Sequence, residues 1–192
     1  MSKILALSGS LREHSLNTIF LRAASRLAPE GIDVIFYDAL NEIPLFNPDI
    51  EGENFDKSAP EAVKHFRDQL HGVNGVMIAS PEYAHGVSGM MKNALDWLVG
   101  TGEFVDLPIA LVNVSPRATI AYSALHETIC VMGGIIIPEA SPTIPLIEKR
   151  DDLESVVANA ETSAQIIQTI ISFDKAIKEL PISAPVLELK YE

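Results

Sequence analysis

The fold is decided by the stretch KILALSGSLREHSLN, residues 3–17. Its first part, Lys3 to Leu7, is apolar without alternation, which is typical of a strand buried on both faces. The chain then turns at Ser8-Gly9-Ser10, and from Asn17 to Leu27 apolar residues recur at the three- and four-residue steps of a helix. A buried strand, a polar turn and an amphipathic helix predict the first unit of a parallel sheet flanked by helices.

Apolar runs and amphipathic stretches alternate along the rest of the chain. Further strands are predicted at residues 33–37, 75–79, 109–114 and 134–137, and further helices at residues 59–70, 88–99, 121–132 and 151–171. Residues 38–55 are predicted to form a long loop. Strands separated by helices imply right-handed crossovers. We therefore expect an α/β fold with a doubly wound five-stranded parallel sheet of order 2-1-3-4-5, formed by one domain over residues 1–192.

The overall composition limits the classes of function. Of the 192 residues, 47% are hydrophobic and 21% are charged, as in folded globular proteins. The formal net charge of −12 repels nucleic acid and anionic membranes, so we expect neither as a partner. The sole cysteine, Cys130, suits a reducing compartment and is expected in a helix core. The apolar run from Ile4 to Leu7 is too short for a signal peptide or a membrane helix, and a cytoplasmic location is expected.

The first segment with candidate site residues follows the first strand. Ligands of doubly wound sheets bind beyond the carboxyl ends of the strands, here after Leu7, Ala79 and Val114. The segment after Leu7 lacks the glycine pattern of a dinucleotide or ATP loop, but it is rich in hydroxyls and amides and enters a helix. Two interpretations stay open. The segment binds a phosphate at the helix start, or it is a turn in which Ser15 caps the helix.

The segment after the third strand, Ser80 to Trp97, suits a flat redox ring. Pro81 to His85 offer backbone donors, acceptors and apolar surface to such a ring. Met91 and Trp97 are expected in the helix core. His65 and His71 are six positions apart and no cluster of histidines and cysteines exists in the sequence, so no metal is expected.

Together these segments resemble the NADPH-dependent FMN reductase family, which includes quinone, chromate and azo-dye reductases. The resemblance is carried by Gly9-Ser10-Leu11-Arg12 with Ser15 and Asn17, by Pro44-Leu45-Phe46-Asn47-Pro48-Asp49, and by Pro81-Glu82-Tyr83 followed by Gly89, Lys92-Asn93-Ala94 and Asp96-Trp97. It covers residues 3 to about 137. It implies a flavodoxin-like fold, bound FMN, and NADPH or NADH as co-substrate.

The resemblance also assigns site residues. The FMN phosphate would be held by Ser10, Arg12, Ser15, Leu16 and Asn17, and the ring would be lined by Pro81, Glu82 and Tyr83. Two departures affect further contacts. Ala84 and then His85 stand where the family usually has Asn after Pro-Glu-Tyr, and Ser115-Pro116-Arg117-Ala118 stands where many members have a glycine-rich segment. We include Ala84, His85 and Ser115 among the expected cofactor contacts.

The implied reaction is a two-step hydride transfer from the nicotinamide to the flavin and then to a small-molecule acceptor. The flavin carries this chemistry, and no catalytic side chain is expected. A non-enzymatic flavodoxin-like electron carrier is the main alternative, which the acidic surface would suit. A third possibility is a protein that binds FMN as a sensor or scaffold.

The loop from Asp38 to Asn54 predicts self-association. It is long for a connection in a compact domain and carries apolar side chains at Ile43, Leu45, Phe46 and Ile50. We expect a homodimer or homotetramer with the active site near the interface. The alternative is that these side chains pack on the protein's own sheet.

Overall fold

The computed structural model describes residues 1–51, 59–147 and 151–180. Its strands are β1 (Ser2–Ser8), β2 (Ile32–Tyr37), β3 (Gly75–Ala79), β4 (Glu82–Tyr83), β5 (Gly86–Val87), β6 (Pro108–Val112) and β7 (Ile135–Ile136). Five of them form a parallel sheet with the order β2-β1-β3-β6-β7, and β4 and β5 form a separate hairpin. The main sheet confirms the predicted α/β fold and strand order.

The inner strands explain why their sequences are apolar without alternation. In β1, Leu5 and Leu7 pack into one hydrophobic cluster, and Ile4 and Ala6 pack into a second cluster on the opposite face. All four side chains are fully buried. Both faces of the strand are covered, so neither face needs polar residues.

Helices cover the two faces of the sheet. They are α1 (Leu16–Leu27), α2 (Pro48–Glu51), α3 (Glu61–His71), α4 (Gly89–Asp96), α5 (Ile120–Val131), α6 (Leu153–Ala158) and α7 (Ala160–Glu179). Apolar residues of α1, α6 and α7 pack on one face, and those of α3, α4 and α5 pack on the other. Met91 and Trp97 are fully buried, as predicted. None of the helices in the described part of the chain is long and apolar enough to cross a membrane.

The prediction of one helix over residues 151–171 is wrong, because the structure has two helices that meet at Asn159. The backbone of Asn159 is extended, with ψ of 111°, and cannot continue α6. Its N–H donates to the carbonyl of Ser155 at 3.0 Å, and its side-chain oxygen accepts the N–H of Thr162 at 2.9 Å. Asn159 therefore ends α6 and caps α7, a position at which asparagine is favoured.

The segment after β2 is more ordered than a plain loop. It contains a 3₁₀ turn at Leu40–Glu42 and the one-turn helix α2, while residues 52–55 of the predicted loop lie outside the described residues. Its apolar side chains differ in burial. Ile43 is 7% exposed, whereas Leu45 is 83% exposed and Ile50 is 44% exposed. Packing on the protein's own core accounts for Ile43 and leaves the other two uncovered.

Helix α4 holds part of this segment, which we call the clamped segment (residues 43–48). The Asn93 side chain accepts the N–H of Phe46 at 2.8 Å and donates to the carbonyl of Pro44 at 2.9 Å. The indole N–H of Trp97 donates to the same carbonyl at 2.8 Å. The Phe46 and Trp97 rings also meet edge to face, with centroids 5.0 Å apart. Two of the sequence segments that carry the family resemblance are thus in direct contact.

A buried ion pair fixes the connection between α4 and β6. The Nε of Arg67 on α3 lies 3.5 Å from a carboxylate oxygen of Glu103, and both side chains are 2% exposed. Arg67 also donates to the carbonyl of Trp97, and Thr101 donates to the Glu103 carboxylate. Burial raises the pKa of the Glu103 carboxyl, while the Thr101 hydroxyl and the Arg67 guanidinium act in the opposite direction.

Candidate functional site

A cleft of about 400 Å³ opens at the carboxyl edge of the sheet. Its walls come from the three segments that follow β1, β3 and β6, which are the segments indicated by the sequence. The cleft volume lies within the range of small-molecule sites.

The first wall is the segment between β1 and α1. It brings together five predicted site residues, Ser10, Arg12, Ser15, Leu16 and Asn17. Ser15 also caps α1, because its Oγ accepts the N–H of Thr18 at 3.4 Å. The two interpretations of this segment are therefore compatible: the residue that caps the helix also lines the cleft.

A glycine allows this wall to approach the second one. A Cβ atom at Gly9 would lie 2.2 Å from the Oγ of Ser80 and 2.7 Å from its Cβ, which is closer than real contacts allow. The N–H of Gly9 donates to the carbonyl of Ala79 at 2.9 Å. Any side chain at position 9 would push the two segments apart and widen the cleft.

The residues at the start of α1 fit a phosphate group. The Asn17 side chain is 8% exposed, lines the cleft and forms no hydrogen bond with another described residue. Its amide faces solvent in the cleft and can donate hydrogen bonds to a ligand oxygen there. The first backbone N–H groups of a helix also lack acceptors within the helix and attract anions. The exposed Arg12 adds a positive charge at the same wall.

The second wall is a hairpin that the sequence did not predict. Pro81, Glu82 and Tyr83 line the cleft, as expected from the resemblance. Ala84 and His85 form the turn between β4 and β5 with φ of 49° and 60° and do not line the cleft. Two positive φ angles match the twist of a two-residue hairpin, although they are unfavourable for alanine. A role for these two residues as cofactor contacts stays a prediction.

The carboxylate of Glu82 joins the hairpin to α5. One oxygen accepts the N–H of Ile120 at 2.9 Å and that of Ala121 at 2.8 Å. The residue before the helix, Thr119, makes no side-chain cap. Glu82 therefore supplies the cap from another part of the chain, where negative charge is favoured by the helix dipole.

The third wall follows β6 and contains Ser115, the remaining predicted contact. The N–H of Ala118 donates to the carbonyl of Ser115 at 2.9 Å, which closes a turn with Pro116 at its second position. Arg117 at the third position lines the cleft and was not predicted. Other lining residues that sequence reasoning missed are Ser80, Asn113, Val114 and Ala118. The available signal was their position at the carboxyl ends of β3 and β6.

Tyr122 lines a small cavity that shares Ser80, Asn113 and Ala118 with the cleft. Burial raises the pKa of the Tyr122 phenol, whose hydroxyl donates to the carbonyl of Leu111 at 3.2 Å. This phenol therefore stays neutral at physiological pH and serves the packing of α5 on the sheet.

Two further expectations concern metal ligands and the cysteine. Residues 1–51, 59–147 and 151–180 contain no group of three or more His, Cys, Asp or Glu side chains that could hold a metal ion. Cys130 is exposed, so its prediction as a core residue is wrong. On α5 the inward positions are taken by Leu125 and Ile129, and the Cys130 Sγ lies on the outer face, 3.7 Å from the Nδ1 of His126.

Comparison with known proteins shows the family of this chain. The family profile described as NADPH-dependent FMN reductase matches residues 2–148. An NAD(P)H-dependent FMN reductase of Pseudomonas aeruginosa is 36% identical over 115 residues, which are 59% of this chain and 60% of the relative. A quinone reductase of Pseudomonas putida is 37% identical over 121 residues, 62% of each chain. The matched region thus spans about 60% of the length of these curated relatives.

Solved structures of known proteins share the fold of this chain. A flavoenzyme NAD(P)H:(acceptor) oxidoreductase from Paracoccus denitrificans superimposes with a TM-score of 0.77 and 21% identity, covering 93% of this chain and 98% of the other. The family inferred from the three sequence segments is confirmed by the profile match, which covers most of the chain. The chain therefore belongs to the NADPH-dependent FMN reductase family.

Proposed function

We propose that this protein is an NAD(P)H-dependent, FMN-containing oxidoreductase that reduces small acceptors such as quinones, flavins, azo compounds or chromate. One observation carries the proposal. Predicted FMN contacts from three separate segments, nine residues in all, line one cleft at the edge where ligands of such sheets bind: Ser10, Arg12, Ser15, Leu16, Asn17, Pro81, Glu82, Tyr83 and Ser115.

The chain's own residues bind and orient the cofactor in this proposal. The start of α1, the Arg12 guanidinium and the Asn17 amide would hold the phosphate. Pro81 and Tyr83 would lie along the ring, and Tyr83, which is 56% exposed, would border the opening to solvent. The bound flavin would supply the hydride chemistry, so the protein needs to position two rings and exclude water.

Flavin selectivity tests the proposed cofactor. Because the phosphate donors are built into the start of α1, FMN should bind more tightly than FAD or riboflavin. Isothermal titration of the apoprotein with the three flavins measures this directly. Equal affinity for FMN and riboflavin would remove the role assigned to the first wall.

Electron transfer tests the activity. The FMN-loaded protein should be reduced by NADH or NADPH in anaerobic stopped flow and then reoxidised by a quinone, with steady-state turnover. An electron carrier would exchange electrons with protein partners but show negligible turnover with nucleotide and quinone. A sensor or scaffold would bind FMN without turnover.

We also propose that the protein forms a homodimer or homotetramer, with the clamped segment at the interface. Leu45 on the clamped segment and Ile50 just beyond it are exposed beside the buried Ile43, which supports an interface with a second copy. Light scattering across micromolar concentrations should give a mass above that of one chain. A fully active monomer would contradict this.

The proposal also includes a single domain over residues 1–192 and a cytoplasmic location. The exposed thiol of Cys130 suits the reducing environment of the cytoplasm.

A further inference from the structure

The charge around the cleft is uneven. Arg12 and Arg117 line it from the walls that follow β1 and β6. Glu82 is the acidic side chain among the described lining residues, and its carboxylate already accepts two backbone N–H groups of α5. The whole chain has a formal net charge of −12. Arg117 therefore places a positive charge in the cleft of an acidic protein, and this charge attracts anions locally.

The backbone that carries Arg117 is fixed. Within the turn from Ser115 to Ala118, Pro116 restricts the backbone and the Ala118 N–H donates to the Ser115 carbonyl. The Asn113 side chain holds both ends of the turn: its oxygen accepts the N–H of Ser115 at 3.0 Å, and its amide donates to the carbonyl of Ala118 at 3.4 Å. A cation on a rigid turn loses less entropy on binding a ligand than one on a mobile loop.

The guanidinium of Arg117 is available to a ligand. In the described part of the chain, no carboxylate lies within ion-pair distance of it and no hydrogen bond engages it. Arg12, on the other wall, is already assigned to the FMN phosphate. A planar guanidinium suits carboxylate, sulfonate and phosphate groups, which it binds through two parallel hydrogen bonds.

We propose that Arg117 binds an anionic group of a substrate in this cleft, so that anionic substrates are preferred over neutral ones of the same shape. The inference rests on the proposed function, because it concerns the substrates of that same site. The anion is either a phosphate of the nicotinamide nucleotide or an acidic substituent of the acceptor. Both present the same oxyanion chemistry to the guanidinium, and the experiment separates them.

Three variants isolate the charge. Arg117→Gln removes it, Arg117→Lys keeps it, and Arg26→Gln removes an exposed arginine that pairs with Glu154 and does not line the cleft. Both positions, 26 and 117, are exposed, so each variant should fold. The first measurement is equilibrium binding of naphthalene-2-sulfonate and of 2-naphthol to the oxidised, FMN-loaded protein, which requires no turnover.

The expected result is selective loss of sulfonate binding. Arg117→Gln should weaken the binding of the sulfonate about tenfold, the scale of a lost charge-assisted hydrogen bond, and leave the affinity for 2-naphthol unchanged. Arg117→Lys should recover most of the affinity, and Arg26→Gln should match the wild type. Added salt should reduce the difference between wild type and Arg117→Gln. Equal affinity of wild type and Arg117→Gln for the sulfonate would overturn the proposal.

Kinetic measurements then identify the source of the anion. If the acceptor supplies it, Arg117→Gln should raise the KM for a sulfonated naphthoquinone but not that for an uncharged naphthoquinone. If the nucleotide supplies it, the same variant should weaken the binding of NADH and NADPH in the reductive half-reaction. If the variant changes neither the KM for the sulfonated acceptor nor the affinity for the nucleotides, the proposal is overturned. If neither nucleotide reduces wild-type protein, the proposed function fails, while the sulfonate comparison still decides the role of Arg117.

Discussion

Replacement of Glu82 should loosen the link between two walls of the cleft. In the structure one carboxylate oxygen of Glu82 accepts the N–H groups of Ile120 and Ala121, at the start of a helix that has no cap from Thr119. We expect Glu82→Ala to lower the free energy of unfolding and also to weaken FMN binding, because the hairpin and α5 would no longer be tied.

The magnitude follows from the kind of contact. Loss of an N-cap typically costs about 0.5–2 kcal/mol, and the charge at a helix start adds about 0.3–1 kcal/mol at a partly exposed site. Since Glu82 is half-buried and both donors share one oxygen, we expect about 1–2 kcal/mol for Glu82→Ala. Glu82→Gln keeps an acceptor oxygen and loses the charge, so its expected cost is about 0.3–1 kcal/mol.

Urea unfolding of the apoprotein measures the first effect, followed by the fluorescence of Trp97, the sole tryptophan, which is fully buried. Glu127→Ala is the matched control, an exposed glutamate on α5 that does not line the cleft. Titration with FMN measures the second effect. A Glu82→Ala variant that unfolds at the same urea concentration as the control would refute the capping role. Lower stability with unchanged FMN affinity would refute the link to the cleft.

Three further predictions concern other residues. Ala84→Gly should raise the free energy of unfolding by about 0.5–1 kcal/mol, because glycine adopts the φ of 49° without steric strain and this gain exceeds the extra conformational entropy that glycine loses on folding. A lower urea midpoint than that of the wild type would contradict this. Arg12→Ala should weaken FMN binding by about 1.5–3 kcal/mol in titration calorimetry, the scale of a hydrogen bond to a charged group, and an unchanged Kd would show that this guanidinium serves elsewhere. Burial holds the pKa of Glu103 above its ordinary 4.5, so the native state keeps a proton that the unfolded chain releases, and this contribution to stability falls as pH rises from 4.5 through the raised pKa. As pH rises through this window, the free energy of unfolding of the wild type should therefore fall relative to that of Glu103→Gln. A constant difference between the two proteins across the window would refute the raised pKa.

The sheet was predictable because its signal is local. Each inner strand is a short apolar run that ends at a polar segment, and crossover handedness leaves few ways to order such strands. The hairpin of β4 and β5 was not predictable in the same way, since Ala84 and His85 lack the Asn-Gly pattern of a two-residue turn. The break at Asn159 depends on a cap that competes with continued helix, which apolar spacing does not reveal.

The residues of the candidate site also differ in how well the sequence predicts them. Residues on the first wall were predictable because the helix start and the strand end place them there. Arg117 was not, because its position depends on a turn closed by Ser115 and Ala118 and held by Asn113. The role of Glu82 was missed for a similar reason: its partners, Ile120 and Ala121, follow 38 and 39 residues later in the chain.

The clamped segment has a consequence for protein engineering. Asn93 and Trp97 grip it through the main-chain groups of Pro44 and Phe46, so no side chain at position 45 takes part in the grip. Leu45 projects from that fixed loop with 83% of its surface uncovered. Codon randomisation at this single position would therefore vary a side chain at the proposed subunit interface while the main-chain hydrogen bonds beneath it stay intact, which makes it a natural site for a library that alters subunit association.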